Sequence, residues 1–145
     1  NVRSVDEVKH MIALGKDTYN TGKISYRLVE EMCEVLQDFG RIMKEYQVKE
    51  YRAYATSAMR EAKNSQIVLD QIQVRTGLIV KSINNSELRL MSYKAVASKD
   101  AAFQKTVQKG TAIIDVCFGI TQFSRLDKDL LVSTQNIFLG GLRMR

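Results

Sequence analysis

The sequence predicts a mixed α/β domain, and three observations predict it. Segments with helical spacing alternate with short β-rich runs as far as residue 99. Three further strand-like runs, joined by tight turns, follow between residues 111 and 138. The composition, 45% hydrophobic and 26% charged over 145 residues, is that of a globular chain with a core. Strands that alternate with helices argue for parallel βαβ units, and strands joined by tight turns pair antiparallel. The expected order is therefore α-β-α-β-α followed by a three-stranded meander.

Each element has a local reason. Residues 1–24 read as irregular, with Val5, Val8 and Ile12 hinting at a helical turn and with turns at Leu14 to Asp17 and Asn20 to Gly22. Ser25 suits a helix N-cap, and a long helix should run to about Tyr46. Leu28, Met32, Val35, Leu36, Phe39, Ile42, Met43 and Tyr46 recur at spacings of three and four, which makes one continuous apolar face. Its methionines read as core fillers, and Cys33 beside them as structural. Glu50 to Ala55 alternates like a strand. Ser57 can cap a helix from Ala58 to Thr76, with a break at Asn64-Ser65, and Gly77 stands where a left-handed C′ residue belongs. Leu78 to Ile83 is the next strand. Asn84-Asn85-Ser86 then caps a helix with Leu88, Met91, Ala95 and Val96 on one side, and the polar stretch 99–109 reads as partly helical. Strands at 112–117, 120–126 and 130–138, with turns at Gly119 and Asp127-Lys128-Asp129, complete the meander.

Bulk properties narrow the function. The net charge is +6 and the isoelectric point about 9.4. That excess suits a polyanion such as a phosphate chain, a nucleotide or nucleic acid, and equally a plain basic surface. No Lys/Arg run marks a nucleic-acid arm, so no specific nucleic acid is expected as partner. Cys33 and Cys117 do not make a disulfide framework, so a reducing cytoplasm is expected. No apolar run approaches the roughly 20 residues that span a bilayer, and no membrane association is expected. His10 has no Cys, Asp or Glu cluster at ligand spacing and reads as a surface or packing residue.

Three stretches could carry chemistry. In Thr111 to Gln122 (TAIIDVCFGITQ) a buried-type strand ends at Asp115 and turns at Gly119. An acid and a glycine turn at a strand end suit a phosphate or Mg²⁺ site, because backbone N–H groups can approach an anion where no Cβ intervenes. Ordinary hairpins carry the same residues. At Ala55 to Ala62 (ATSAMREA), Thr56, Ser57 and free N–H groups stand at a helix N-terminus, with Arg60 less than a turn further on. Dipole, donors and guanidinium together favour an oxyanion. At Asn84 to Arg89, Glu87 lies in the first turn of a helix, where it can serve chemistry or simply favour the dipole.

These motifs resemble, in order and nearly end to end, those of the exopolyphosphatase/guanosine pentaphosphate phosphatase family. ATSAMREAKN at 55–64 matches the family's ATSA-x-REA-x-N. LGKDTYNTGKIS is similar to its LG-x-G…TG-x-(I/L)S. TGLIVKSINNSELR resembles its TGL-x-V…E-x-R. AIIDVCFGITQ is similar to the segment containing DIGGGS, and NIFLGGLRMR to LPLG-x-x-R. The resemblance implies an actin-like, ribonuclease-H-like fold in two lobes with the active site in the cleft. It implies Mg²⁺-dependent removal of terminal phosphate from inorganic polyphosphate or guanosine pentaphosphate. Thr56, Ser57 and Arg60 would hold phosphate, with Asp115 and Gly119 in a second phosphate loop. Glu87 would be the base that deprotonates the attacking water, and Gln122 stands where many members place a second carboxylate.

The same resemblance assigns residues 1–99 to the rear of the first lobe and 100–145 to the start of the second. It places the family's opening D-x-G-(S/T) loop before Asn1 and most of the second lobe after Arg145. Open sheet edges would then favour self-association into a homo-oligomer. A ribonuclease-H-like domain has the meander first; here it comes last. A permuted single domain, with the meander beside strand 50–55 of the same or a neighbouring chain, is one arrangement that would close the sheet. DIGGGS is Asp115-Val116-Cys117-Phe118-Gly119-Ile120 here. Cβ atoms where backbone should approach phosphate predict impaired anion binding and little turnover. No His or Lys is evident to activate Cys117 as a nucleophile. A non-catalytic phosphate-binding or interaction module of the same fold is the alternative.

Overall fold

The computed structural model describes residues 4–99, 103, 110–117, 119–128, 130–141 and 143. Phe118, Asp129, the 104–109 stretch, and Leu142, Met144 and Arg145 of the terminal motif lie outside the described residues. The helices are α1 (Leu14–Thr21), α2 (Tyr26–Glu45), α3 (Ser57–Glu61), α4 (Ser65–Thr76) and α5 (Asn85–Lys99). The strands are β1 (Ala53–Ala55), β2 (Val80–Ser82), β3 (Thr111–Val116), β4 (Thr121–Asp127) and β5 (Leu130–Ile137).

The main departure from expectation is α1, which replaces the turns read at Leu14 to Gly22. Its local signals are poor, with Gly15 inside it and no side-chain cap. Tertiary contacts hold it instead. Gly15 and Thr18 are buried, and the Thr18 hydroxyl donates to the Ala58 carbonyl at 2.9 Å. Gly22 ends the helix at φ 75°, a conformation that costs glycine nothing, and its N–H returns to the Thr18 carbonyl. Ser25 does stand at the N-cap of α2, but its side chain makes no cap bond. Its N–H donates to Asp17 Oδ2 at 3.0 Å.

The apolar face of α2 buries Leu28, Val29, Met32 and Cys33 against Val68 and Ile72 of α4 and against Ile24 and Met59. Cys33 is fully buried, as its place beside that face predicts. The break between α3 and α4 is fixed by Asn64. Its amide pairs both ways with the Ile24 backbone, accepting from N–H at 3.0 Å and donating to the carbonyl at 2.9 Å. β1 and β2 are shorter than expected but pair in parallel, Ala53 with Val80 and Ala55 with Ser82, across the α3–α4 crossover. This is the predicted βαβ unit.

β3, β4 and β5 form the predicted antiparallel meander, with Asp115 opposite Gln122 and Gln122 opposite Asn136. Among the described residues the two sheets stay separate, one of order β1-β2 and one of order β3-β4-β5. Within one chain the meander therefore does not extend the sheet of β1, and a permuted single sheet is not what the chain adopts. The short strands β1 and β2 are covered by the helices of the crossover. The meander instead turns Gln122, Ser124 and Leu126 toward α5 and Phe103. No described helix is long and apolar enough to cross a membrane.

Candidate active site

The α3 N-terminus lies directly beyond the end of β1, so the Thr56-Ser57 hydroxyls stand at the carboxyl edge of the parallel sheet, where open α/β sheets gather ligands. Thr56 is the N-cap residue and makes no side-chain cap bond. Ser57 is buried, and its Oγ shares a 3.0 Å hydrogen bond with Tyr19 Oη. The β3–β4 turn comes down onto this point. Cys117 N–H donates to the Ile120 carbonyl at 2.9 Å and closes the turn. A Cβ placed on Gly119 would lie 2.9 Å from Ser57 Oγ and would overlap Tyr19 Oη outright. The one glycine retained in the turn is thus the one that touches α3. Ile120, where the family pattern has Ser, is fully buried.

Arg60 is engaged across the sheet. Its Nη1 donates to the Ile83 carbonyl at 2.7 Å and its Nη2 to Asn85 Oδ1 at 2.5 Å. Asn85 in turn accepts Gln122 Nε2 on its carbonyl at 3.2 Å. A chain of hydrogen bonds therefore runs from α3 through the start of α5 to β4.

Glu87 completes a capping box. Asn84 Oδ1 accepts the N–H groups of Ser86 and Glu87, each at 2.9 Å, and Glu87 Oε2 accepts the Asn84 N–H at 2.9 Å. Its other oxygen meets Lys81 Nζ at 2.7 Å. Lys81 first, and the Asn84 N–H second, hold the Glu87 carboxyl below its usual range, so it is ionised and weakly basic. The same contact raises Lys81.

Asp115 and Gln122 face a cavity of about 350 Å³ between α5 and the meander, with Arg89, Tyr93 and Leu126 also in its wall. Asp115 accepts the Ser92 hydroxyl on Oδ2 and, at 3.6 Å, the Cys117 thiol on Oδ1. Burial first, and Asp115 second, push the Cys117 thiol up, which makes it a poor nucleophile. Gln122 is 1% exposed, and its Oε1 is buried without a partner, as is Arg89 Nε. Arg89 Nη2 donates to Asn136 Oδ1 at 2.9 Å. Among the described residues no group of three or more His, Cys, Asp or Glu is placed to hold a metal. Asp115 and the open Gln122 Oε1 are hard oxygen donors on paired positions. That set fits Mg²⁺, which needs only one or two protein oxygens when water and phosphate fill its shell.

The Ppx/GppA phosphatase family matches residues 2–125. The chain belongs to that family. "Exopolyphosphatase 1" of Mycobacterium tuberculosis is 27% identical over 92 residues, which are 63% of this chain and 27% of that protein. Among solved structures, an exopolyphosphatase from Cytophaga hutchinsonii superimposes with a TM-score of 0.76 at 23% identity, covering 92% of this chain and 41% of that one. The Aquifex aeolicus Ppx/GppA family member gives 0.70 at 24%, covering 90% and 41%. The fold is therefore the mixed α/β fold of the matching part of those Ppx/GppA proteins. The chain spans about a quarter of the length of the mycobacterial relative and about two-fifths of the solved ones.

Seen as a Ppx/GppA chain, the expected site residues fall into four places. Thr56, Ser57 and Gly119 come together. Asp115 and Gln122 share the cavity wall. Arg60 reaches Gln122 only through Asn85, and Glu87 bonds Lys81 and its own helix start. Sequence reading missed Tyr19, Asn85, Arg89 and Arg143. Asn85 lay inside the recognised cap cluster and Arg143 inside the LGGLRMR motif, so both had a signal. Tyr19 lay inside the LGKDTYNTGKIS stretch, but nothing local pointed to its partner Ser57, 38 residues away.

Proposed function

We propose that this chain is the cleft-forming segment of a phosphohydrolase that releases terminal phosphate from inorganic polyphosphate or guanosine pentaphosphate. Residues 1–99 belong to its first lobe and 100–145 begin its second. The single observation that carries the reading is the seating of the Gly119 turn on the Ser57 end of α3. It turns two separate anion-binding motifs into one place. There the exposed Thr56 hydroxyl and the N–H groups at the start of α3 would face the phosphate chain, and the buried Ser57 hydroxyl would join them on leaving Tyr19. Arg60 sets the α3–α5 spacing, and Glu87 serves as base once its carboxylate leaves Lys81. Asp115 and Gln122 would hold Mg²⁺, which when bound neutralises charge on the phosphoryl oxygens.

Turnover by this segment alone should be slow. Glu87 is held ionised and weakly basic by Lys81, Arg60 is bonded to Ile83 and Asn85, and Cys117 brings a Cβ to the loop. The same facts favour the second reading, a phosphate-binding module without catalysis. In either case we take the protein to self-associate, because among the described residues β1 and β2 each keep an open outer edge, and to work in the cytoplasm, in keeping with its two free cysteines. Two measurements test this. A titration with polyphosphate and with a guanine nucleotide should show binding of at least one, weakened in Arg60→Ala; no binding of either overturns the phosphate reading. Phosphate release from polyphosphate with Mg²⁺ should be slight, and robust release lost in Glu87→Gln would overturn the low-turnover reading.

A further inference from the structure

Arg143 comes from the end of the chain, just beyond β5, and reaches into the junction of the two halves. Its Nε donates to the Gly119 carbonyl at 2.6 Å. Its Nη2 is paired with Glu61 Oε2 at the end of α3. Its guanidinium carbon lies 4.2 Å from the centroid of the Tyr19 ring and 5.1 Å from that of Phe138. Tyr19 in turn holds Ser57 through its hydroxyl. The Arg143 side chain is about one-fifth exposed and that of Glu61 about one-quarter, so the pair is substantially shielded from water. Glu61 Oε1 is buried with no second partner, so Arg143 is the group that neutralises this carboxylate.

We infer that Arg143 is the positioning residue of the β3–β4 turn, with Glu61 as its anchor. A single planar fork ties the turn's carbonyl to α3 and stacks on the residue that orients Ser57. The consequence is geometric. With the Gly119 carbonyl held by Arg143 and the Gly119 Cα pressed against Tyr19 and Ser57, the turn is fixed in height and orientation over the α3 N-terminus. A lysine cannot do this. It offers a point charge for Glu61 but no planar pair of donors to span Glu61 and Gly119 at once. The inference concerns the site proposed above, and its purpose, though not its geometry, rests on that reading.

Cys117 supplies the reporter, since it lies in the turn and is partly exposed while Cys33 is fully buried. In the full 145-residue chain, labelled at a fixed alkaline pH, a change in the Cys117 labelling rate reads loosening of the turn that holds its thiol against Asp115, and labelling of Cys33 reads global unfolding. Arg143→Met should label Cys117 about five- to thirty-fold faster, the factor expected for losing one shielded charge-assisted bond. Cys33 labelling should stay slow. Arg143→Lys should behave like the methionine variant at Cys117, and Glu61→Gln should fall between it and the wild type. If Arg143→Met fails to fold, the lysine variant alone carries the test. Unchanged Cys117 labelling in both Arg143 variants, wild-type labelling in Arg143→Lys, or equal acceleration at Cys117 and Cys33 would each overturn the assignment. A second arm adds tripolyphosphate, which should protect Cys117 in the wild type and protect it less in Arg143→Met. Absence of protection in the wild type counts against the phosphate reading and leaves the labelling result on Arg143 standing. Equal protection in wild type and variant would show that the positioning has no bearing on the ligand.

Discussion

The region from α1 to β2 and the meander solve the same packing problem differently. In the first, α2 and α4 enclose a continuous core in which Cys33, Val68 and Ile72 are at most 2% exposed. In the second, β4 is well covered, but Leu130 of β5 is 70% exposed and Val132 is 56% exposed. The meander's described core is small, formed by Phe103 and Leu126 with Tyr93, Ala97 and Ile113 packed on it. Tyr93 and Phe103 meet edge-on at 5.3 Å. The lesson concerns the site. Its α3 side is built into the rigid half, whereas its turn hangs on the sparsely packed half and is held by contacts across the junction. Few buried apolar contacts mean a lower free energy of local opening. The Gly119–Ser57 contact and the Arg143 tie therefore matter more than their number suggests.

Four substitutions would break or sharpen this contrast. The largest effect is expected in the rigid half. Ile72→Ala should lower stability by about 2–5 kcal/mol in denaturant unfolding, because it leaves a cavity between α2 and α4. Leu130→Ser on β5 should change stability by less than about 0.5 kcal/mol. Equal effects would mean that the two halves are not differently packed. Next comes the junction. Gly119→Ala drives a methyl group into Tyr19 and should cost about 1–3 kcal/mol by the same measurement. A neutral result would mean that the turn does not sit on α3. The smallest effect is a pH effect confined to the α1–α2 connection. The Ser25 side chain and then its N–H hold the Asp17 carboxyl below its usual range. A carboxyl lowered in the folded state contributes stability above its unfolded value. That contribution is lost as pH falls from there through the lowered folded value. Asp17→Asn should therefore flatten the acid limb of the stability–pH curve and leave the region above neutrality nearly parallel to wild type. An unchanged acid limb would remove Asp17 as a source of acid sensitivity.

Much of the fold was legible in the sequence, and the reasons are local. The three- and four-residue spacing of α2, Gly77 after α4 and the polar turn before β5 are all short-range signals. The α1 helix was not legible, because Gly15 and the uncapped start argue against it and only its contact with α3 supports it. Of the site, ATSAMREA and the Asp115 strand end were legible as motifs. What occupies each side chain was not. Glu87 reads as a candidate base and is found in a capping box, and Arg60 reads as a phosphate ligand and is found bonded to Ile83 and Asn85.

By itself, then, the sequence determined the family, the βαβ unit, the meander and the two motifs read as anion-binding, since each is a run of short-range signals in chain order. Only the tertiary structure decided that the two motifs meet, because the contacts that join them are long-range. Gly119 meets Ser57 and Tyr19 across 62 and 100 residues (119 − 57 and 119 − 19), and Arg143 meets Glu61 across 82. Such contacts depend on how two sheets are set against each other, which no local spacing records.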